Sequence, residues 1–224
     1  FSIKDQAAEV KKVKKFEEVY AKYSGVSYGV GVGNGTDAIF LALKALGIGS
    51  GDEVITVSNT AIPTVSAIVS TGAKPIFVDI LRDSYLMDVT KIENVISKNT
   101  KCILPVHLYG QSVDMDEINK IASKHNLYVL EDCAQSHGSK YKGKITGSMS
   151  DISATSFYPT KILGTYGDGG MVNTNNEELY RKLKRLRFYG AEKTYYANEH
   201  GFNSRLDEMH ASILLKKITH LDDY

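Results

Sequence analysis

A chain of 224 residues, 42% of them apolar and 24% charged, has enough apolar material for one large core. Its 27 Lys and Arg against 26 Asp and Glu leave a formal net charge of +1, too balanced to gather nucleic acid or an anionic membrane surface, so neither partner is expected. No apolar run reaches the length of a membrane span, the first residues do not resemble a signal peptide, and Cys102 and Cys133 sit in apolar runs without metal-ligand spacing.

Those two thiols read as reduced core residues of a cytoplasmic protein, with no metal expected. The lack of an initiating Met suggests a processed chain or a piece of a longer one. Residues 5–23 are helical by period, with Val10, Val13, Phe16 and Tyr20 on one face and the Lys11–Lys15 cluster on the solvated side. Tyr28–Val32 reads as a short strand, after which Gly33-Asn-Gly-Thr-Asp37 opens a helix running through Leu41, Leu43 and Leu46 to Gly47. Glu53–Val57 is a strand and Ile62–Ser70 a helix with Pro63 in its first turn. Strands at Pro75–Asp79 and Cys102–Val106 are separated by a polar helix near Val89–Ser97. Met115–His125 is a helix, followed by a buried strand Leu127–Leu130 ending at Glu131-Asp132. Ile152–Phe157 and Met171–Asn173 are further strands, and helices fill roughly 176–188 and 206–222. This alternation predicts an α/β fold with a mostly parallel central sheet flanked by helices, in one domain over 1–224 with its mixed core at about 27–190.

Three features fall where an open α/β sheet places ligands, beyond the carboxyl ends of strands. The Gly33–Asp37 turn offers backbone N–H groups and a helix dipole to an anion, with the Thr36 hydroxyl beside them; an ordinary N-cap through Thr36 or Asp37 would use the same atoms. Asp132 ends a buried strand and needs a partner. A protonated ring nitrogen would serve, as would an Arg, a Lys or a helix end. Gln135, three residues on, can reach a neighbouring oxygen of the same ring. Lys161 lies in the turn Ser156-Phe-Tyr-Pro-Thr-Lys161 before the run Gly164-Thr-Tyr-Gly-Asp-Gly-Gly170, where desolvation would leave an amine able to condense with an aldehyde. An anion cradle, a carboxylate for a pyridinium and an amine for an aldehyde are the three contacts that pyridoxal 5′-phosphate requires.

His107 and His137 both neighbour these segments, and without a carboxylate at metal spacing each reads as a hydrogen-bonded structural histidine. His200, His210 and His220 suggest no role. The Tyr195-Tyr196 pair in the polar stretch Gly190–Gly201 fits either a loop stacking on a nucleotide base or a plain surface loop.

A longer series of motifs runs in order along nearly all of the chain beyond about residue 15. It comprises Asn34-Gly-Thr-Asp-Ala38, Gly51-Asp-Glu-Val54, Ser58-Asn-Thr60, Gly72-Ala-Lys-Pro75 with Phe77-Val-Asp79, and Pro105-Val-His-Leu-Tyr-Gly-Gln111. It continues through Glu131-Asp-Cys-Ala-Gln-Ser-His-Gly138, Ser156–Lys161, Gly167-Asp-Gly-Gly170 and Asn203-Ser-Arg-Leu-Asp-Glu208. In these the chain resembles the sugar aminotransferases of the DegT/DnrJ/EryC1/StrS family, pyridoxal-phosphate enzymes of the aspartate-aminotransferase fold type. The resemblance implies that Lys161 binds the cofactor aldehyde and later moves the proton. It implies that Asp132 keeps the pyridine nitrogen protonated, that Gln135 bonds the ring's 3-oxygen, and that Gly35, Thr36 and Ser156 hold the phosphate. Family members are homodimers in which the partner reaches the phosphate and nucleotide, and Asn203 and Arg205 lie in the matching segment. The implied substrates are glutamate as donor and a nucleotide-linked keto-sugar as acceptor, in amino-sugar or surface-polysaccharide biosynthesis. A dehydratase branch that replaces the lysine with histidine is disfavoured by Lys161, and a catalytically silent cofactor- or sugar-binding regulator is the alternative. Two departures stand out: Ala61 replaces the aromatic residue many relatives place over the ring, and the family's smaller C-terminal domain is largely absent from this chain.

Overall fold

The computed structural model describes residues 11–193 and 196–223, and the side chain of Lys193 is left out of that description. The expected helical start at residues 5–10, with Val10, and Tyr195 of the tyrosine pair lie outside the described residues. Helix α1 (Lys11–Ser24) buries Val13, Phe16 and Tyr20 along the face its period marks, and leaves its lysines in solvent. It is followed by β1 (Tyr28–Val32), α2 (Gly35–Ala45), β2 (Glu53–Val57), α3 (Ile62–Ser70), β3 (Lys74–Val78), β4 (Thr100–Ile103), α4 (Met115–His125) and β5 (Tyr128–Asp132). A short hairpin, β6 (Lys140–Tyr141) and β7 (Lys144–Ile145), precedes β8 (Ile152–Ser156) and β9 (Gly170–Thr174). Helix α5 (Glu177–Leu186), the strand pair β10 (Ala191–Lys193) and β11 (Tyr196–Ala197), and α6 (Glu208–Lys217) complete the described elements, with a 3-10 segment over Ile218–Asp223.

The seven-stranded sheet has the order β1-β9-β8-β5-β4-β2-β3. Pairing is parallel from β3 to β8 and antiparallel at both sides of β9, so β9 alone runs against the rest. The mostly parallel sheet expected from the alternation is present, and every residue of the central strands β8 and β9 is buried, as a sheet covered on both faces requires. One apolar cluster fills the side of α2, α4 and α5; a second, with Phe16, Phe157, Met171, Leu206 and Leu214, lies under α1 and α6.

Register brings remote residues to one edge. Val32 at the end of β1 pairs with Gly170, Gly170 pairs with Ser156 at the end of β8, and Asp132 at the end of β5 pairs with Ala154. Gly170 is required there because a Cβ would overlap the backbone carbonyl of Asn34.

Two expectations need correction, and two hairpins are added to them. The polar helix near Val89–Ser97 is two three-residue 3-10 turns, Val89–Lys91 and Glu93–Val95, because the Asp88 carboxylate takes the Thr90 N–H and the chain turns extended at Ile96. The helix at 206–222 is α-helical only over Glu208–Lys217 and tightens to 3-10 beyond it. Both hairpins went unread: β6–β7 turns on Lys142 and Gly143, each at positive φ, a signal weaker than Asn-Gly, and β10–β11 occupies part of the Gly190–Gly201 stretch.

Candidate active site

At the carboxyl edge of the sheet lies a cavity of about 300 Å³ that Gly35, Thr36, Asp132, Gln135, Ser156 and Lys161 all line. These residues come from three turns that the sequence separates by up to 126 positions, and the register described above is what unites them.

The turn before α2 is built by Asn34. Its side-chain oxygen accepts the Asp37 N–H at 2.8 Å, so the cap is Asn34 and not Thr36 or Asp37. Asp37 is engaged elsewhere, accepting the Ser204 hydroxyl at 2.6 Å, and Ser204 in turn accepts the Gly33 N–H at 2.9 Å. Among the described residues no acceptor takes the N–H of Gly35 or Thr36, the first two of α2, or the Thr36 hydroxyl. A Cβ at Gly35 would lie 2.6 Å from the Ser156 Cβ, so only glycine lets the turn close onto Ser156. The product is a helix end whose third N–H is capped by Asn34 and whose first two remain free, with a serine hydroxyl beside them, a place for an anion.

Ser156 and Lys161 are positioned by the residue between them. Phe157 is fully buried and meets Phe16 and Tyr20 edge-on, each ring 5.2 Å away. Its N–H bonds the Gly169 carbonyl and its own carbonyl accepts the Thr165 N–H, which draws the glycine run beneath it. The chain then turns tightly, the Lys161 N–H donating to the Tyr158 carbonyl at 2.9 Å, and Lys161 enters the cavity half-buried.

Asp132 is 3% exposed. One carboxylate oxygen accepts the Ala134 N–H at 3.1 Å and the other the Thr64 hydroxyl at 2.8 Å. Burial raises its pKa above the usual carboxylate range, against the pull of those two donors and of the nearby Lys161 charge. It is a desolvated carboxyl with acceptor capacity to spare, lining the cavity.

Gln135 accepts the Tyr109 N–H through its side-chain oxygen at 3.1 Å. That bond settles which end of the amide is which, leaving the NH₂ as the group free to donate. Tyr109 holds its N–H in place from a left-handed conformation, φ 57°, in the 3-10 turn Leu108–Gly110. Asn203 and Arg205 lie outside this cavity. Both are exposed, and Arg205 stacks its guanidinium over Phe188, 5.3 Å from the ring centre. Arg205 lines a second, larger cavity of about 800 Å³, where Arg187 pairs with Glu17, Arg185 with Glu199 and Arg181 with Glu177. Ala61 lines the first cavity and is the N-cap of α3, with no side-chain hydrogen bond to that helix.

The histidines take the structural roles expected of them. His107 is fully buried; its Nδ1 accepts the Val113 N–H, so its Nε2 carries the proton and donates to Glu131 at 3.0 Å. His137 Nε2 donates to the Ser156 carbonyl at 3.0 Å, and burial foremost, with Lys161 adding to it, brings its pKa down to about 4. His107, Glu131 and Cys133 place one potential ligand atom each within 4.8 Å, yet both His107 nitrogens and both Glu131 oxygens are already hydrogen-bonded. Both cysteines are free and buried. Sequence reasoning missed Thr60, Thr64, Tyr109 and Glu131; a threonine in a helix's first turn or a carboxylate inside a motif carries no local sign of its partner.

The family model described as the DegT/DnrJ/EryC1/StrS aminotransferase family matches residues 4–224. A dTDP-3-amino-3,4,6-trideoxy-alpha-D-glucose transaminase of Micromonospora megalomicea subsp. nigra is 54% identical over 95% of this chain and 57% of its own length. A protein of Geobacillus stearothermophilus named pleiotropic regulatory protein is 50% identical over 94% of this chain and 56% of its own. The crystal structure of S. venezuelae DesV in complex with a ketimine intermediate superposes with a TM-score of 0.94 at 44% identity, covering 95% of this chain and 57% of that one. The chain thus spans a little over half the length of the relatives it matches. Among the described residues no helix is long and apolar enough to cross a membrane.

Proposed function

The chain belongs to the DegT/DnrJ/EryC1/StrS aminotransferase family, and from that premise we propose that it transfers an amino group from glutamate to a nucleotide-linked keto-sugar, using pyridoxal 5′-phosphate. The observation that carries this reading is the single cavity joining the Lys161 amine, the buried Asp132 carboxylate and the open N-terminus of α2. The residues fit the cofactor on three independent counts. Gly35 and Thr36 offer unpaired N–H groups beside the Ser156 hydroxyl, a site for the phosphate. Among the described residues no cation forms an ion pair with the buried Asp132. The Gln135 amide turns its NH₂ away from Tyr109 and so can donate to an anionic ring oxygen.

When bound, the cofactor supplies an aldehyde that exchanges amines and a conjugated ring that accepts the electron pair of the broken C–H bond. The chain's own groups do the rest. Lys161 would hold the aldehyde through its Nζ, and the same amine, when free, would be the group that takes and returns the proton at carbon. Asp132 would favour a proton on the ring nitrogen, which would make the ring a better electron acceptor. The anion-binding turn fixes the far end of the cofactor while the amine exchanges, so orientation survives the change of partner. In this reading residues 1–224 are the cofactor-binding large domain of a cytoplasmic enzyme of amino-sugar or surface-polysaccharide synthesis.

The partner subunit of a homodimer would supply Asn203 and Arg205, which within one chain do not reach the cavity. Exposed apolar side chains support that assembly: Ile62, which adjoins the cavity-lining Ala61 and Pro63 in the chain, is 81% exposed, and Tyr158, which lines the cavity, is half exposed.

An absorbance titration tests the reading. Added pyridoxal phosphate should give a band near the visible edge that borohydride removes, that glutamate bleaches, and that a Lys161→Ala variant never shows. Bleaching should then be reversed by one member of a panel of dTDP- and UDP-linked keto-sugars. The regulatory relative motivates the second reading, a silent binding protein, in which the band forms and glutamate leaves it unchanged.

A further inference from the structure

The two hydroxyls that end on Asp132 have a defined polarity. Thr64 is 1% exposed, and its hydroxyl donates to one Asp132 carboxyl oxygen at 2.8 Å. The Thr60 hydroxyl lies 2.7 Å from the Thr64 oxygen, and with Thr64 already donating, Thr60 must be the donor of that pair. Thr60 lines the cavity, so the chain of hydroxyls runs from the cavity wall inward and delivers both donors toward the anion. Thr64 also sits in the first turn of α3, whose N-cap Ala61 supplies no side-chain acceptor, which leaves the positive end of that helix uncapped beside the carboxylate. Ala134 N–H holds the other oxygen, so the carboxylate is gripped at both ends.

We propose that Thr64, with Thr60 behind it, is a positioning residue that keeps Asp132 ionised and aimed at the cofactor nitrogen. The proposal rests on the pyridoxal-phosphate reading above for the identity of the partner, but not for the state of the carboxylate, which belongs to the protein alone. Without the Thr64 donor, Asp132 would keep its burial and lose one of two hydrogen bonds, and the neutral acid would be favoured nearer to neutral pH. A neutral Asp132 cannot hold a protonated ring nitrogen. Hydrogen bonds to charged groups are worth about 1.5–3 kcal/mol, so the loss should be read as about a tenfold or greater change.

The test uses the chain with carboxyl-¹³C aspartate, the Asp132 signal being assigned by its absence from Asp132→Asn. In Thr64→Val, which preserves shape and removes the hydroxyl, the Asp132 carboxyl signal should titrate about one pH unit higher than in the unsubstituted chain. Pyridoxal phosphate should bind about tenfold more weakly, and Thr64→Ser should restore both. Thr60→Val, at the half-buried outer end of the relay, carries the same test should Thr64→Val fail to fold, with an expected weakening of about threefold. An Asp132 titration identical in all four chains overturns the proposal, as does a loss that Thr64→Ser does not rescue. If the unsubstituted chain binds no pyridoxal phosphate, the cofactor reading fails by itself, while the carboxyl titration still decides the role of Thr64.

Discussion

Glu131 and Asp132 are adjacent buried carboxylates that meet opposite fates on the two faces of β5. Glu131 is fully buried and receives four donors: His107 Nε2, the N–H groups of Gly147 and Met149, and the Ser150 hydroxyl. Burial alone would raise its pKa, yet those donors, His107 first among them, bring it below the usual range. Asp132 receives two donors and its pKa is raised. A carboxylate whose lone pairs are filled by the protein is a structural post, tying β5 to the 147–150 loop and to His107. One left partly unfilled beside a cavity is prepared for a ligand. Burial is the same in both; the count and origin of donors separate them.

The comparison can be broken first at its chemical end. Lys161→Ala should lower amino transfer by at least about 10³-fold, within the range that a positioned proton-transfer group contributes, while the melting temperature stays within about 1 °C. A variant retaining a tenth of the activity would remove Lys161 from the chemistry.

Next in size is a reversal of stability between neighbours. Glu131→Gln disrupts a fully bonded buried carboxylate and should cost about 3 kcal/mol, roughly a 6–12 °C fall in melting temperature for a domain of this length. Asp132→Asn removes a desolvated charge and should melt within about 2 °C of the original or above it, although it should impair catalysis. Equal losses in thermal denaturation would show that the two carboxylates are held alike.

A pH scan sharpens the same contrast at His137. Its folded pKa of about 4 lies below the unfolded value of roughly 6.5, so between them the unfolded chain binds the extra proton. Its contribution is therefore complete above about pH 6.5 and is lost as pH falls toward 4, by at most about 3 kcal/mol. Melting curves from pH 7 to 4.5 should fall less steeply in His137→Gln than in the unsubstituted chain, and parallel slopes would refute the burial argument.

A smaller effect is expected at the oriented amide. Gln135→Glu places a second acceptor where a donor is needed, and pyridoxal phosphate should bind about tenfold more weakly by equilibrium titration. The smallest lies in the other cavity: Arg181 pairs with Glu177 in solvent, and Arg181→Ala should change unfolding free energy in urea by less than about 0.5 kcal/mol with activity intact.

Much of the architecture was readable along the chain. β1, β2, α3 and α4 begin and end where apolar runs, Pro63 and the flanking polar residues placed them, because those signals are local. The inner residues of the cavity were readable too, since Asp132 and Ser156 end strands and Gly35, Thr36, Gln135 and Lys161 follow strand ends within five residues. The short elements were not: a 3-10 turn at Val89 or a hairpin at Lys142 is decided by one side-chain cap or one pair of positive φ values.

What the sequence determined by itself was the alternation that makes a parallel sheet and the three turns that deliver an amine, a carboxylate and an open helix end. Consecutive strand residues face opposite ways, as Glu131 and Asp132 do, but nothing along the chain says which of them is satisfied. Tertiary structure alone decided that, since their donors come from Gly147, Met149, Ser150 and Thr64, residues made neighbours only by sheet register. The same holds for Gln135, whose orientation depends on a backbone N–H 26 positions away. Hydrogen bonds act over about 3 Å in space, and distance along the chain carries no trace of them.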